Sequence, residues 1–219
     1  MSHLLDNALT TPETVSRELG IPPHQDGGEY MRISRYILVA SSMFEDAIGY
    51  KVHFQEDITS KVGQPRGRNN LIVDEHLPLK EIHSIKYKDN DPIDTDKYAL
   101  SDPELGYIRH TSKRSWRDTQ IYQSEIRSYS HETEPLYTVT YDAGYVTPYQ
   151  AQEDETLTRD LPHDIEAAVI DMAVMLYSEA GQNRRIQSAS TGDWSYTLKD
   201  TNVPTLFEHV VNQYKKVMV

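Results

Sequence analysis

The side chains that most often bind metals or transfer protons are abundant in this sequence. It contains nine histidines and 34 acidic residues. Metal-binding helices usually present two histidines three or four residues apart, and no such pair lies on a helical pattern here. His131-Glu132-Thr133-Glu134 offers ligands of suitable types, but its place before Pro135 favours a solvated loop. The sequence therefore predicts no metal site.

Phosphate binding and nucleophilic catalysis have equally weak support. Residues 63–68, Gly-Gln-Pro-Arg-Gly-Arg, lack the Gly-Lys-Ser/Thr ending of a phosphate loop, and no helical pattern follows them. No serine lies in the Gly-x-Ser-x-Gly elbow of hydrolases. We therefore predict no catalytic residue and no cofactor. A small hydrolase is kept as an alternative, which a cluster of buried titratable groups in one cleft would favour.

Basic residues cluster in the middle of the chain. The members of this basic patch are Arg109, Lys113, Arg114 and Arg117. Trp116 and Tyr122 lie among them, and mixed basic and aromatic residues can bind nucleic acid by charge and stacking. Without a matching motif, a solvated hairpin is favoured. Because residues 153–166 are rich in acids, the two regions could also pair head to tail between subunits.

The overall composition narrows the function classes further. The chain of 219 residues has a net charge of −12, which disfavours tight binding to a phosphate backbone. It contains no cysteine, so disulfides and thiolate metal sites are excluded. No run approaches the roughly 20 apolar residues of a membrane span, and the N-terminus lacks a signal-peptide pattern. We therefore expect a soluble protein made in the cytoplasm.

Four segments have the periodicity of helices. Thr11 and Pro12 are typical of a helix start, and Gly20 of its end. Apolar residues recur at three- and four-residue steps in segments 29–48 and 165–180. A short final helix after Pro204 places four residues on one face, namely Phe207, Val210, Val211 and Tyr214. Such a short helix must pack on its own domain or on a partner.

Between these helices the pattern changes to short strands. Tyr50, Val52 and Phe54 alternate with polar residues, as in a half-buried strand. Further strands are predicted at 70–74, 82–87, 98–100, 107–109 and 136–141, and a hairpin or loop at 112–130. We therefore predict an α+β fold: a helical core (1–49 and 161–219), an inserted antiparallel β region (50–150) and an acidic linker (150–160).

The order of these elements resembles the head–tail connector, or adaptor, proteins of tailed bacteriophages. The residues that carry the resemblance are Thr11-Pro12-Glu13-Thr14-Val15, Leu19-Gly20-Ile21, the strand series 82–87, 98–100 and 106–108, Val139-Thr140-Tyr141-Asp142-Ala143-Gly144-Tyr145, Leu161-Pro162-His163-Asp164-Ile165-Glu166-Ala167-Ala168-Val169, and the segments 184–188 and 192–196. The match covers most of the chain as a pattern, without a single diagnostic motif.

The resemblance implies a structural role in the virion neck and no enzymatic activity. A connector subunit would form a dodecameric ring beneath the portal protein, receive a stopper, neck or tail protein, and let genomic DNA pass without specific binding. Assembly would take place in the host cytoplasm, without a membrane. Another neck component, such as a stopper or tail-completion protein, is the main alternative.

The resemblance also implies where a connector would make its contacts. The portal-docking candidates are Arg184, Arg185, Trp194, Tyr196, Phe207, Val210, Val211 and Tyr214. The candidates for the DNA channel or for contacts between subunits are Arg109, Lys113, Arg114 and Arg117.

Overall fold

The chain forms two compact units in a computed structural model that describes residues 5–22, 27–63, 70–88, 91–111, 116, 137–181 and 203–215. The helical unit comprises Met1–Gly49 and Tyr145–Val219, and the β unit comprises Tyr50–Gly144. Helices and antiparallel sheets occur together, so the predicted α+β class is confirmed. Within the described ranges, every helix is too short or too polar to span a bilayer.

The first two helices begin and end close to their predicted positions. Helix α1 spans Pro12–Glu18, and the Thr11 side chain caps it by accepting a hydrogen bond from the Thr14 amide. Helix α2 spans Gly28–Ile48 and ends at Gly49, whose φ of 91° is readily adopted only by glycine. The apolar stripe of α2 is buried as predicted, with Ile33, Ile37, Ala40, Phe44 and Ile48 in the core.

Three more helices follow the β unit. Helix α3 spans Pro148–Glu153, α4 spans His163–Gly181 and α5 spans Thr205–Tyr214. Helix α3 extends into segment 150–160, for which the sequence predicts a linker. The reason is a capping box, in which Thr147 and Gln150 each accept a hydrogen bond from the other's backbone amide.

The core of the helical unit is the contact between α2 and α4, where the buried side of α4 presents a second apolar stripe. The buried residues of α4 include Ile165, Ala168, Val169, Met172, Ala173 and Leu176. Glu166, on the same helix, accepts hydrogen bonds from the Thr10 hydroxyl at 3.2 Å and from Arg159 at 2.6 Å. This carboxylate therefore connects α4 to the segment before α1 and to the segment that precedes α4 itself.

The β unit contains two three-stranded sheets. Its strands are β1 (Gln55–Val62), β2 (Asn70–Ile72), β3 (Leu79–Tyr87), β4 (Tyr98–Asp102), β5 (Tyr107–His110) and β6 (Tyr137–Ala143). One sheet has the order β1-β6-β3 and the other has the order β2-β5-β4, and all of these pairs are antiparallel. A short 3-10 helix, Thr95–Lys97, precedes β4.

Strand β6 is the centre of the first sheet because it pairs with both neighbours. Its residues alternate cleanly: Tyr137, Val139, Tyr141 and Ala143 are buried, and the residues between them are partly exposed. The buried side contributes to an apolar cluster that also includes residues of β1 to β5. The opposite side, which carries Asp142, is more exposed to solvent.

The strand predicted from Tyr50 to Phe54 is wrong, since β1 begins only at Gln55. Val52 and His53 are adjacent in sequence and both are buried, so the alternation expected of a half-buried strand is broken. In place of a strand ladder, the Lys51 amide donates to the Glu75 carbonyl and the Leu77 amide donates to the Lys51 carbonyl.

Gly144, which ends β6, tests how closely the backbone packs in the β unit. Its φ is 93°, and an added Cβ would lie 2.2 Å from the His53 carbonyl oxygen. Gly49 has nearly the same φ, 91°, but has open space around it. We expect Gly49→Ala to lower the free energy of unfolding by about 1–2 kcal/mol, and Gly144→Ala to cost about 1–3 kcal/mol more. Thermal and urea unfolding measure both losses of stability. Equal losses in the two variants would contradict the close approach of the Gly144 backbone to the His53 carbonyl oxygen.

The buried tyrosines of β6 predict a loss of stability in alkali. Burial raises the pKa of Tyr137 and of Tyr141 to about 12, although the Ser60 hydrogen bond lowers that of Tyr141. Because an unfolded phenol ionises near pH 10, this stabilisation is complete below about pH 10 and is lost towards pH 12. We expect the unfolding temperature, followed by circular dichroism, to fall over this range. In Tyr141→Phe the unfolding temperature should fall less steeply with pH. A fall as steep as in the parent would show that ionisation of Tyr141 does not contribute to it.

Candidate functional site

Helix α5, which carries four of the docking candidates, packs on its own unit. Phe207 is 5% exposed and Val210 is 2% exposed. The ring of Phe207 meets that of Phe44 edge to face, with centroids 5.8 Å apart. These two side chains therefore belong to the core of the helical unit, and a partner can reach them only if α5 detaches.

The other two docking candidates on α5 lie at the border of this core. Val211 and Tyr214 are partly buried. The Tyr214 hydroxyl lies 3.2 Å from each carboxylate oxygen of Asp164 and donates to that group at the start of α4. The docking role of all four residues stays a prediction. On the outward face of α5, Leu206 and His209 are exposed among the described residues.

Most of the remaining predicted site residues lie outside the described residues. They are Arg184, Arg185, Trp194, Tyr196, Lys113, Arg114 and Arg117. Arg109 is described: it lies exposed on β5, paired in register with Asn70 on β2 and Ala99 on β4. Its contact with DNA or with another subunit stays a prediction.

Trp116 fits neither interpretation of its region, a nucleic-acid contact through stacking or a solvated hairpin. The side chain is 1% exposed. The centroid of its ring lies 5.7 Å from that of Tyr137 and 5.2 Å from that of His110. The Tyr137 hydroxyl donates to the Trp116 carbonyl at 2.6 Å. Trp116 is therefore a core residue of the β unit, and its ring is not available to stack on a base.

The exposed side of the β1-β6-β3 sheet brings together three potential metal ligands that we call the Asp–His–Asp cluster: Asp57, His83 and Asp142. One ligand atom from each lies within 4.8 Å of the others. His83 Nε2 is 2.6 Å from Asp142 Oδ1 and 3.9 Å from Asp57 Oδ1. The Asp57 amide also donates to Asp142 Oδ1 at 2.9 Å. Asp142, on the central strand, therefore contacts both other members.

The charges around the Asp–His–Asp cluster are mostly negative. The hydrogen bond to Asp142 raises the pKa of His83 above its ordinary value. Desolvation acts against this rise, and the charges of Asp142, Asp57 and Glu81 add to it. Glu81 lies opposite Asp142 in the strand register. The cluster is thus an exposed site that favours positive charge.

The search of the sequence for ligand spacings missed this cluster. Asp142 lies 59 residues from His83 and 85 residues from Asp57, so no local pattern joins them. The sequence predicts no metal site because no pair of histidines lies three or four residues apart on a helical pattern. Only the pairing of three strands brings these side chains together.

No protein-family model matches the sequence, and no curated protein matches it. Solved structures do share its fold, and two of them come from gene transfer agent particles. A chain in the neck of an empty gene transfer agent particle, computed with C6 symmetry, aligns with a TM-score of 0.58 at 13% identity, covering 96% of this chain and 91% of that one. A chain in the virion of a native gene transfer agent particle aligns with a TM-score of 0.56 at the same identity and coverage.

These alignments include nearly the whole of each chain, so the shared fold extends over both the helical unit and the β unit. At 13% identity the likeness concerns the arrangement of the backbone and transfers no individual side chain. The similarity therefore establishes the fold alone.

Two neighbouring residues of α5 test which face of this helix belongs to the core. We expect Phe207→Ala to lower the free energy of unfolding by about 3–5 kcal/mol, because it removes a buried aromatic ring. Leu206→Ala, at a position that is 38% exposed, should change it by less than about 0.5 kcal/mol. Chemical unfolding of the two variants measures the difference. A Phe207→Ala protein as stable as the parent would show that α5 contributes little to the core.

Proposed function

We propose that this protein is a structural subunit of the neck of a tailed, phage-like particle, and specifically its head–tail connector (adaptor). The observation that carries the proposal is the fold shared with a chain from the neck of a gene transfer agent particle, over 96% of this chain. The resemblance in the order of elements, from the capped α1 to the Leu161-Pro162 start of α4, supports the same assignment. The role is structural and non-enzymatic.

In this proposal the subunits form a ring, dodecameric by resemblance to connectors, that binds the portal protein on one side and a stopper, neck or tail protein on the other. The net charge of −12 suits a ring around a DNA channel, because a negative surface does not bind the passing genome tightly. Arg109 and the other basic candidates would contact the neighbouring subunit or line the channel. Assembly in the host cytoplasm and residence in the virion follow from the same role.

The portal contact is proposed for the outward face of α5 together with residues 184–196, which contain four docking candidates. Phe207 and Val210 hold α5 in its own unit, so they would position the docking surface without touching the portal. Leu206 is an exposed apolar side chain on the outward face of α5. It is therefore the described residue best suited to a partner contact that leaves the core intact.

A stopper or another neck component is the second candidate function. The observation that keeps it open is that the similar neck structure was computed with C6 symmetry. Sixfold symmetry accommodates either six copies of a chain or twelve copies in two sets. A ring of twelve copies would favour the connector, because that is the number that the resemblance implies.

The test is electron cryomicroscopy of the purified protein mixed with its cognate portal protein. We expect a ring of this protein seated on the portal, with α5 at the contact. Leu206→Asp should abolish or strongly weaken ring formation without loss of stability, since an aspartate is favourable in the first turn of a helix. Leu105→Asp, at an exposed apolar position of the β unit, is the matched control and should still bind.

Three outcomes would change the proposal. Portals that stay bare at high protein concentration would contradict the connector role. A ring of six copies that binds only after another protein has covered the portal would identify a stopper instead. Unchanged binding by Leu206→Asp would remove the outward face of α5 from the portal contact.

A further inference from the structure

The Asp–His–Asp cluster lies where irregularities in two strands face each other across the central strand. In β1 the register shifts between Gln55 and Ile58, so Glu56 and Asp57 together oppose Asp142. In β3 the register shifts again between Ile82 and Ser84, which makes His83 the extra residue. Bulges of this kind redirect side chains and are frequent beside functional sites.

The backbone at Asp57 is unusual for a residue other than glycine. Its φ is 53°, and Lys88 is the only other such residue in the described part of the chain. Aspartate tolerates this left-handed conformation better than most side chains do. The bond from the Asp57 amide to the Asp142 carboxylate holds this conformation in place. The bulge therefore directs the Asp57 carboxylate to the same point as His83 and Asp142.

The spacing of the three ligand atoms fits a small cation. Two ligands of a tetrahedral zinc ion, each about 2.1 Å from the metal, are about 3.4 Å apart. The separations from His83 Nε2 to the two aspartates, 2.6 Å and 3.9 Å, lie on either side of this value. The third separation, between the two carboxylate oxygens, is within 4.8 Å.

Exposure leaves room for additional ligands. The exposed fractions of the side chains are 17% for Asp142, 34% for His83 and 85% for Asp57. A metal bound on this side of the sheet would be open to solvent, so water could complete its coordination. In the same strand register, Glu81 adds a further carboxylate opposite Asp142.

We propose that Asp57, His83 and Asp142 form a binding site for one divalent transition-metal ion, for which Zn²⁺ is the probe. One imidazole nitrogen and two carboxylate oxygens match the ligand preferences of zinc and its first-row neighbours. Calcium and magnesium, which prefer oxygen ligands alone, fit the site less well. The inference does not depend on the proposed neck function.

The experiment is isothermal titration calorimetry of the full chain with ZnCl₂, after treatment with a chelator. We expect one strong site per chain. Asp142→Asn and His83→Gln should each weaken its affinity by more than the roughly 10–100-fold that follows the loss of an outer-shell partner. Asp57→Asn, which retains a side chain suited to positive φ, should weaken it as well. His209→Gln, at an exposed histidine on α5, is the matched control and should bind like the parent.

A second measurement separates loss of the ligand from loss of the fold. Saturating Zn²⁺ should raise the unfolding temperature of the parent and of His209→Gln, because a ligand that binds only the folded state stabilises it. The rise should disappear in His83→Gln, whose circular dichroism in the absence of metal should equal that of the parent. Absence of a strong site, or equal affinity in His83→Gln, would overturn the proposal and leave the cluster as a simple ion pair. Either result leaves the portal experiment unaffected.

Discussion

The packing of α2 against α4 is the contact on which the helical unit depends, because these helices come from opposite sides of the inserted β unit. Their apolar stripes include Ile37 and Val169, which are both fully buried. Helix α5 completes this core through Phe207, and Glu166 connects α4 to the segment before α1. Since the unit closes only when both ends of the chain are present, its stability couples residues far apart in sequence.

The β unit is organised in a similar way around a single strand. Strand β6 pairs with β1 and β3, and its buried tyrosines pack with Trp116 on one side of the sheet. A polar group inside this core is also satisfied: the Ser60 hydroxyl contacts the Tyr141 hydroxyl at 2.9 Å and donates to Glu75. On the other side of the same strand, Asp142 joins Asp57 and His83. One strand thus supplies a closed core on one side and an exposed ionic cluster on the other.

The burial of α5 changes how a neck contact has to be understood. An apolar terminal helix can serve either as a binding surface for a partner or as part of the core. The edge-to-face contact of Phe207 with Phe44 assigns the inner side of α5 to the core. A partner would meet the polar outer side, where Leu206 is the exception. If the proposed function holds, the α5 part of the portal contact would be preformed in the folded subunit, which avoids the entropic cost of ordering that helix during assembly.

The sequence by itself determined the features that depend on neighbouring residues. The stripes of α2 and α4, the Thr11 cap and the glycine end at Gly49 follow from spacings of a few residues, and their positions could be predicted closely. The capping box of α3 is just as local, but its polar composition favoured a linker. The acidic charge and the absence of cysteine are properties of composition alone.

Only the tertiary structure decided which of these features became core and which became surface. The burial of Trp116, the inward face of α5 and the bulges beside Asp142 all depend on strands and helices that are distant in sequence. The periodicity of apolar residues predicts the helix or strand to which a residue belongs. Its exposure depends on which other helix or strand packs over it. His83 and Asp57 lie 59 and 85 residues from Asp142. For that reason the Asp–His–Asp cluster can be recognised only in the folded chain.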